Sequence, residues 1–191
     1  MAETRKKRLV VAITGASGVT YGIRALELLK TLDVESHLVL SKAGERTIVE
    51  ETDTTVRAVT GLADVVYPSK DIGAAISSGS FHTMGMLIAP CSVRTMSEIA
   101  TGVTSSLVSR AADVMLKERR PLVLMVRETP LHTGHLRTMT QLSEMGAIIA
   151  PPVPAFYARP ESLEDMVTYT VGRALDLFGL EVEGLNRWGG A

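Results

Sequence analysis

Apolar residues along this chain fall into two kinds of run. The first kind is short and unbroken. Leu9-Val10-Val11-Ala12-Ile13 opens the series, followed by Ser36-His37-Leu38-Val39-Leu40 and Met86-Leu87-Ile88-Ala89. Pro121-Leu122-Val123-Leu124-Met125-Val126 and Ala147-Ile148-Ile149-Ala150 complete it, with Val65-Val66-Tyr67 as a weaker member. A strand with one wet face alternates apolar and polar residues, so unbroken runs fit strands buried on both faces. The second kind is periodic. Ile23, Leu26, Leu29 and Leu32 recur every three residues, the stripe by which a helix packs on a sheet. Residues 43–51, 93–100 and 107–117, and a stretch ending near Met145, also read as helices. Ser162 with Asp165 three residues on caps a last helix running to about Phe178. Pro151-Pro152-Val153-Pro154 is a loop, because proline supplies no ladder donor.

Strands that alternate with helices predict an α/β fold: a parallel sheet covered on both faces, with right-handed crossovers. No repeat, low-complexity stretch or linker divides the 191 residues, so the chain reads as one domain, 1–191. Residues 1–7 are expected as a flexible tail, the basic run Arg5–Arg8 as solvated, and 179–191 as a carboxyl-terminal tail. In such folds ligands bind at the carboxyl ends of the strands, so chemistry is sought in the polar clusters there.

Composition removes several alternatives. Twenty basic and twenty-one acidic residues give a net charge of −1, without the basic surplus of a nucleic-acid binder. The single cysteine, Cys91, forms no intrachain disulfide, and no cysteine cluster suggests zinc. A reducing, cytoplasmic setting follows. No stretch approaches the roughly 20 apolar residues of a membrane span, and the run at 9–13 is too short for a signal-peptide core. His132 and His135 could share a helix face, but no third ligand accompanies them, so no metal site is expected.

Thr14-Gly15-Ala16-Ser17-Gly18 follows the first strand and opens a helix, a geometry that attracts anions. It is neither G-x-G-x-x-G nor a Walker A loop. Ser41-Lys42 follows the second strand. Pro90-Cys91-Ser92-Val93-Arg94-Thr95 ends the fourth in small hydroxyl residues; Cys91 reads as a small buried residue rather than a nucleophile. Arg127-Glu128 follows the fifth and offers a phosphate-binding guanidinium beside a carboxylate for proton transfer. Phe156-Tyr157-Ala158-Arg159 follows the prolines, and Lys117, Arg119 and Arg120 form a basic group. No Asp-Asp-x-x-Asp pattern is available to hold magnesium on a diphosphate.

These clusters, taken in order, resemble the UbiX/Pad1 family of flavin prenyltransferases, over residues 9–188. The resemblance also rests on Glu51-Thr52-Asp53, Ser77-Ser78-Gly79-Ser80-Phe81, Arg110-Ala111-Ala112-Asp113-Val114, Leu116-Lys117-Glu118-Arg119-Arg120-Pro121-Leu122 and Pro154-Ala155-Phe156-Tyr157. It implies a flavodoxin-like (Rossmann-like) three-layer sandwich, assembled as a homo-dodecamer with sites between subunits. It implies FMN bound by Gly15, Ala16, Ser17, Ser41, Ser92, Val93, Arg94, Thr95 and Arg127. Dimethylallyl phosphate would be held by Arg110, Lys117, Tyr157 and Arg173, with Trp188 near the prenyl group. Ser17, Glu51 and Glu128 match the catalytic positions.

The reaction implied is metal-independent: reduced flavin N5 attacks the prenyl carbon as phosphate leaves, and a second bond to C6 closes a ring. The product, prenylated FMN, would serve a UbiD-type decarboxylase in ubiquinone synthesis or aromatic-acid breakdown. Two rivals differ in class. A flavin-dependent cysteine decarboxylase would carry P-A-S-A-N-T where this chain has Pro90-Cys91-Ser92-Val93-Arg94-Thr95, without the Asn. A non-catalytic FMN-binding subunit would not need Glu51, Lys117, Glu128 and Tyr157.

Overall fold

The computed structural model describes residues 6–189. Six strands, β1 (Arg8–Ile13), β2 (Glu35–Leu40), β3 (Val65–Tyr67), β4 (Met86–Cys91), β5 (Leu122–Val126) and β6 (Ile148–Ile149), form one sheet in the order β3-β2-β1-β4-β5-β6. Every pairing is parallel. Seven helices connect them: α1 (Val19–Thr31), α2 (Lys42–Glu51), α3 (Val56–Thr60), α4 (Val93–Ala100), α5 (Leu107–Lys117), α6 (Thr133–Glu144) and α7 (Leu163–Asp176).

The runs at β1, β2, β4 and β5 are the two-sided strands they were expected to be, while the edge strands β3 and β6 are only partly covered. Leu9, Val11 and Ile13 of β1 face a core shared with α1, α2, α3 and α7. Val10 and Ala12 point the other way, into a core shared with α4, α5 and α6. Each large side chain withdrawn in this way contributes about 1.5–3 kcal/mol, so a polar residue at either parity would open one of the two cores. The flavodoxin-like three-layer sandwich implied by the resemblance therefore forms. Gly22 of α1 lies so close to the sheet that a Cβ there would sit 2.3 Å from the Ala89 carbonyl oxygen.

Helix starts follow local chemistry. Ser162 accepts from the Asp165 N–H (3.0 Å) and Asp165 accepts from the Ser162 N–H (3.1 Å), the reciprocal cap expected for α7. Helix α3 was not anticipated: five residues are too few to display a helical period, and only its cap, Thr55 to the Ala58 N–H at 3.1 Å, marks it. β4 runs past Ala89 to Cys91. Pro90 donates nothing, but its carbonyl accepts from both the N–H and hydroxyl of Thr14, at 3.3 and 2.7 Å.

The amino-terminal run departs from expectation within the described residues, Arg5 lying outside them. Arg8 begins β1, and Lys6 and Arg8 both pair with Glu35, at 2.6 and 2.8 Å. His37 adds a third bond at 2.9 Å. Of the run expected to be solvated, Arg8 is drawn into β1, while Lys6 and Lys7 stay exposed, Lys6 paired with the half-buried Glu35 carboxylate. The hydrogen bond from Lys6, then those from Arg8 and His37, hold the Glu35 carboxyl down to about 2, against burial, which raises it.

Because the folded value lies below the ordinary one of 4.5, the stabilisation is present above pH 4.5 and is lost as pH falls toward 2. Lys6 is largely exposed, so the contribution is discounted to about 1–3 kcal/mol. Glu35→Gln is expected to lower Tm at pH 6–7, with the gap to the parent closing as pH falls below 4.5. A gap that stays constant from pH 6 to 2.5 in thermal melts would exclude this role.

Candidate active site

The sheet order reverses between β1 and β4. The chain leaves β1 toward β2 on one side and leaves β4 toward β5 on the other. Such a switch point opens a crevice at the carboxyl ends of the strands. Thr14 spans it. Its buried hydroxyl donates to the Pro90 carbonyl and accepts from the Ser92 N–H at 2.9 Å, joining the loop after β1 to the loop after β4.

A cleft of about 290 Å³ lies here, lined by Gly15, Ser41, Lys42, Ser92, Arg94 and Thr95 and, across from them, by Ser69, Lys70, Ser105 and Ser106. Three helices begin at its wall, each capped by a serine. Ser41 accepts from Gly44 N–H (3.0 Å), Ser92 from Thr95 N–H (3.3 Å), and Ser106 from Ser109 N–H (3.3 Å). The first N–H groups of a helix have no partner within it and carry the positive end of its dipole. Gly15 makes room at the base: a Cβ there would stand 2.2 Å from the Cβ of Ala43 in α2. The lining offers hydroxyls, backbone N–H groups at helix starts and the cations Lys42, Lys70 and Arg94, with Lys42 paired to Glu45 and Arg94 to Glu98, a carboxylate that also lines the cleft. Hydroxyls, N–H groups and cations at helix starts suit a phosphate, and so fit the phosphate of FMN.

Five of the residues expected to hold FMN meet in this cleft: Gly15, Ser41, Ser92, Arg94 and Thr95. Ala16 and Ser17 adjoin it in the loop after β1, and Val93 begins α4 beside Ser92. Sequence reasoning missed Ser69, Lys70, Ser105 and Ser106. The Ser106-x-x-Ser109 cap before an apolar run was a legible signal for the last pair. The 69–70 loop had none; it arrives through a single bond, Leu107 N–H to the Ser69 carbonyl at 2.9 Å.

Arg127 and Glu128 follow β5 at the same edge of the sheet and are exposed. The Arg127 N–H donates to the Cys91 carbonyl (3.1 Å), so β4 sets the height of this loop. Arg127 lies near Tyr21, whose phenol is raised first by burial and lowered in part by that guanidinium. Glu128 accepts from the Thr129 N–H at 3.0 Å and otherwise faces solvent. Glu51, at the end of α2, accepts from the N–H groups of Gly18 (2.8 Å) and Val19 (3.3 Å). A carboxylate thus caps α1, whose first residue follows a left-handed glycine with no side chain to do so.

The remaining residues stand apart. Tyr157 bonds Tyr169 of α7 and meets Trp188 edge to face at 5.7 Å, with Arg173 one turn further along α7. Arg173 pairs with Asp176, which also binds Arg187 at 2.7 Å. Arg110, in the first turn of α5, pairs with Asp113 at 2.6 Å. Lys117 closes α5 at its far end, just before β5 begins, and so lies at the amino-terminal edge of the sheet. His132 caps α6 through the Gly134 N–H (3.0 Å), and its ring stacks on His135 at 3.6 Å.

Cys91 is fully buried, and burial alone pushes its thiol up to about 12. It is a packing residue at neutral pH. Native protein at pH 8 is expected to take up no iodoacetamide over an hour, and one equivalent after denaturation, read by intact mass. Rapid native labelling would contradict the burial.

A parallel sheet with a serine-rich, glycine-floored cleft at its switch point defines a doubly wound α/β protein with a site suited to a phosphate-bearing ligand. The family model described as Flavoprotein matches residues 1–175. The flavin prenyltransferase UbiX of Escherichia coli (strain K12) is 56% identical over 188 residues, 97% of this chain and 100% of the relative. The crystal structure of AnUbiX (PadA1) in complex with FMN and dimethylallyl pyrophosphate superposes with a TM-score of 0.96 at 51% identity, covering 98% of this chain and 100% of that one. A dodecameric FMN-dependent UbiX-like decarboxylase from Escherichia coli O157:H7 gives 0.93 at 48%, covering 96% and 100%. This chain belongs to the UbiX flavin prenyltransferase family.

Proposed function

We propose that this protein transfers a dimethylallyl group from a dimethylallyl phosphate to N5 and C6 of reduced FMN, releasing phosphate and giving prenylated FMN. The observation that carries the reading is the cleft at the β1/β4 switch point, lined by five of the residues the family pattern puts on the flavin. Reduced FMN supplies the nucleophilic atoms. The protein's part is to seat the flavin, draw off the phosphate and move protons: one leaves N5 as it is alkylated, one is gained by the prenyl double bond as the second bond forms, and one leaves C6.

Phosphate departure needs cationic donors, each charged hydrogen bond contributing about 1.5–3 kcal/mol. Lys117, Arg110, Arg127, Arg173 and the Tyr157 hydroxyl are the groups assigned to that task. They would concentrate positive charge where a magnesium ion stands in other prenyl-transferring enzymes. Trp188 would face the prenyl group and steady developing positive charge on it by about 0.5–2 kcal/mol. Glu128 would take the proton lost from C6, and Ser17 would relay a proton at N5. Glu51, by capping α1, would hold the turn that carries Ser17.

These groups do not converge within one chain, since the cleft and Lys117 occupy opposite edges of the sheet. That separation supports a homo-oligomer, which we take to be a dodecamer, with catalytic cations supplied by neighbouring copies. The same reading puts the protein in the cytoplasm, where reduced flavin persists and a UbiD-type decarboxylase can receive the product. No described helix is long and apolar enough to cross a membrane.

The test is anaerobic incubation of the protein with reduced FMN and either dimethylallyl monophosphate or diphosphate, without metal, followed by mass spectrometry of the bound flavin. A gain of one isoprene unit with either donor is expected. Unmodified FMN with both would overturn the reading.

A further inference from the structure

Two segments of the chain lie outside the cleft: Ser77-Ser78-Gly79-Ser80-Phe81, and Lys117-Glu118-Arg119-Arg120 at the end of α5 and just beyond it, of which only Lys117 has been given a task. They meet. The Arg120 guanidinium, which is largely buried, donates to the carbonyls of Gly79 (2.6 Å) and Phe81 (2.7 Å). Phe81 is held from its other side, edge-on to the buried His37 at 5.2 Å and under Arg8 at 5.0 Å. The segment is therefore held at Gly79 and Phe81, by Arg120 just beyond α5 and by Arg8 of β1 and His37 of β2.

Between those anchors, Gly79 leaves a space that the Lys117–Glu118 pair fills. A Cβ on Gly79 would stand 2.1 Å from Glu118 Oε1 and 2.8 Å from Lys117 Nζ. Lys117 Nζ donates to Glu118 Oε1 at 2.5 Å. The Glu118 carboxyl is held below the ordinary range, first by that hydrogen bond and then by the Lys117 charge. Arg119 takes a left-handed turn (φ 54°), which closes α5 and brings Arg120 back onto the loop. An ammonium has three N–H donors. One is spent on Glu118, the one side-chain partner Lys117 has among the described residues, and the side chain remains about half exposed.

We propose that Glu118, with Gly79 and Arg120, is a positioning unit that fixes the Lys117 ammonium before the donor phosphate arrives. This rests on the assignment of Lys117 to that phosphate. A lysine on a flexible four-carbon stem otherwise loses its rotamer freedom on binding. Orienting it beforehand removes that loss from the binding step. A surface ion pair contributes little to folding, so the effect should fall on donor affinity rather than on stability.

The experiment measures initial rates against dimethylallyl monophosphate at saturating reduced FMN for Lys117→Ala, Glu118→Ala, Glu118→Gln and Gly79→Ala. Size-exclusion and FMN titration confirm assembly and flavin binding for each. Glu118→Ala and Gly79→Ala are expected to raise KM for the donor about tenfold, with the effect on KM rather than kcat. Glu118→Gln, whose amide oxygen still accepts from Lys117, should recover most of the loss. A Lys117→Ala variant with raised KM beside parental values in Glu118→Ala and Gly79→Ala would overturn the positioning role. Parental KM in Lys117→Ala would instead overturn the phosphate assignment, and the inference with it.

Discussion

Glu128→Gln is expected to bind reduced FMN within about twofold of the parent and to form prenylated FMN 10²–10⁴-fold more slowly, the usual range for losing a general base. That loss corresponds to about 3–5 kcal/mol of transition-state stabilisation. The substitution isolates the proton. The glutamine keeps the shape of the side chain, and its amide oxygen can still accept from the Thr129 N–H, the one hydrogen bond Glu128 makes among the described residues. The loop itself hangs on the Arg127 N–H bond to the Cys91 carbonyl, which the substitution leaves intact. Fluorescence titration of FMN and single-turnover product formation give the two readouts. If flavin binding collapsed along with the rate, Glu128 would be a structural residue and another group would have to take the C6 proton.

Gly15→Ala should weaken FMN binding by about 5–150-fold, the equivalent of the 1–3 kcal/mol that overpacking costs. The added Cβ would meet the Ala43 Cβ at 2.2 Å and the Ala43 Cα and carbonyl carbon at 3.2 and 3.3 Å. Backbone cannot swing aside as a side chain does, so α2 must move as a unit. It carries Ser41 and Lys42 of the cleft with it. Adding Ala43→Gly removes the worst contact and should restore much of the affinity. Gly73→Ala, where a Cβ meets only Asp71 Oδ1 at an ordinary 3.5 Å, should change nothing and serves as the control. Parental FMN affinity in Gly15→Ala would mean that α2 adjusts freely and that the tight floor is not needed.

The four inner strands, β1, β2, β4 and β5, were legible because each is buried on both faces, which leaves an unbroken apolar run that no surface helix produces. Helix α1 was legible from its apolar stripe, Ile23, Leu26, Leu29 and Leu32, and α7 from the Ser162–Asp165 cap. Elements shorter than a period were not. Helix α3 is five residues long, and β6 keeps only two of the four expected because its neighbour β5 pairs with Ile148 and Ile149 alone. β4 outran its apolar run because Thr14, distant in sequence, supplies partners for the Pro90 carbonyl. The amino-terminal cations were expected in solvent because the carboxylate that gathers them, Glu35, lies 27 residues beyond Arg8.

By itself, then, the sequence determined the α/β alternation, the glycine and serine turns at the strand ends, and through its ordered motifs the family. Each of these is written in contiguous residues, so local propensity and burial pattern suffice to reveal it. Only the tertiary structure decided which turns share a cleft. Strand order is a long-range choice, and placing β1 beside β4 joins Gly15 to Ser92 through a threonine hydroxyl while bringing Ser69 and Ser105 across from them. It also sent Lys117 to the opposite edge of the sheet, because α5 runs back along the sheet to the start of β5. A helix that starts at one edge of a parallel sheet ends at the other, so Lys117 lies away from the cleft that Ser106, at the start of α5, helps to line.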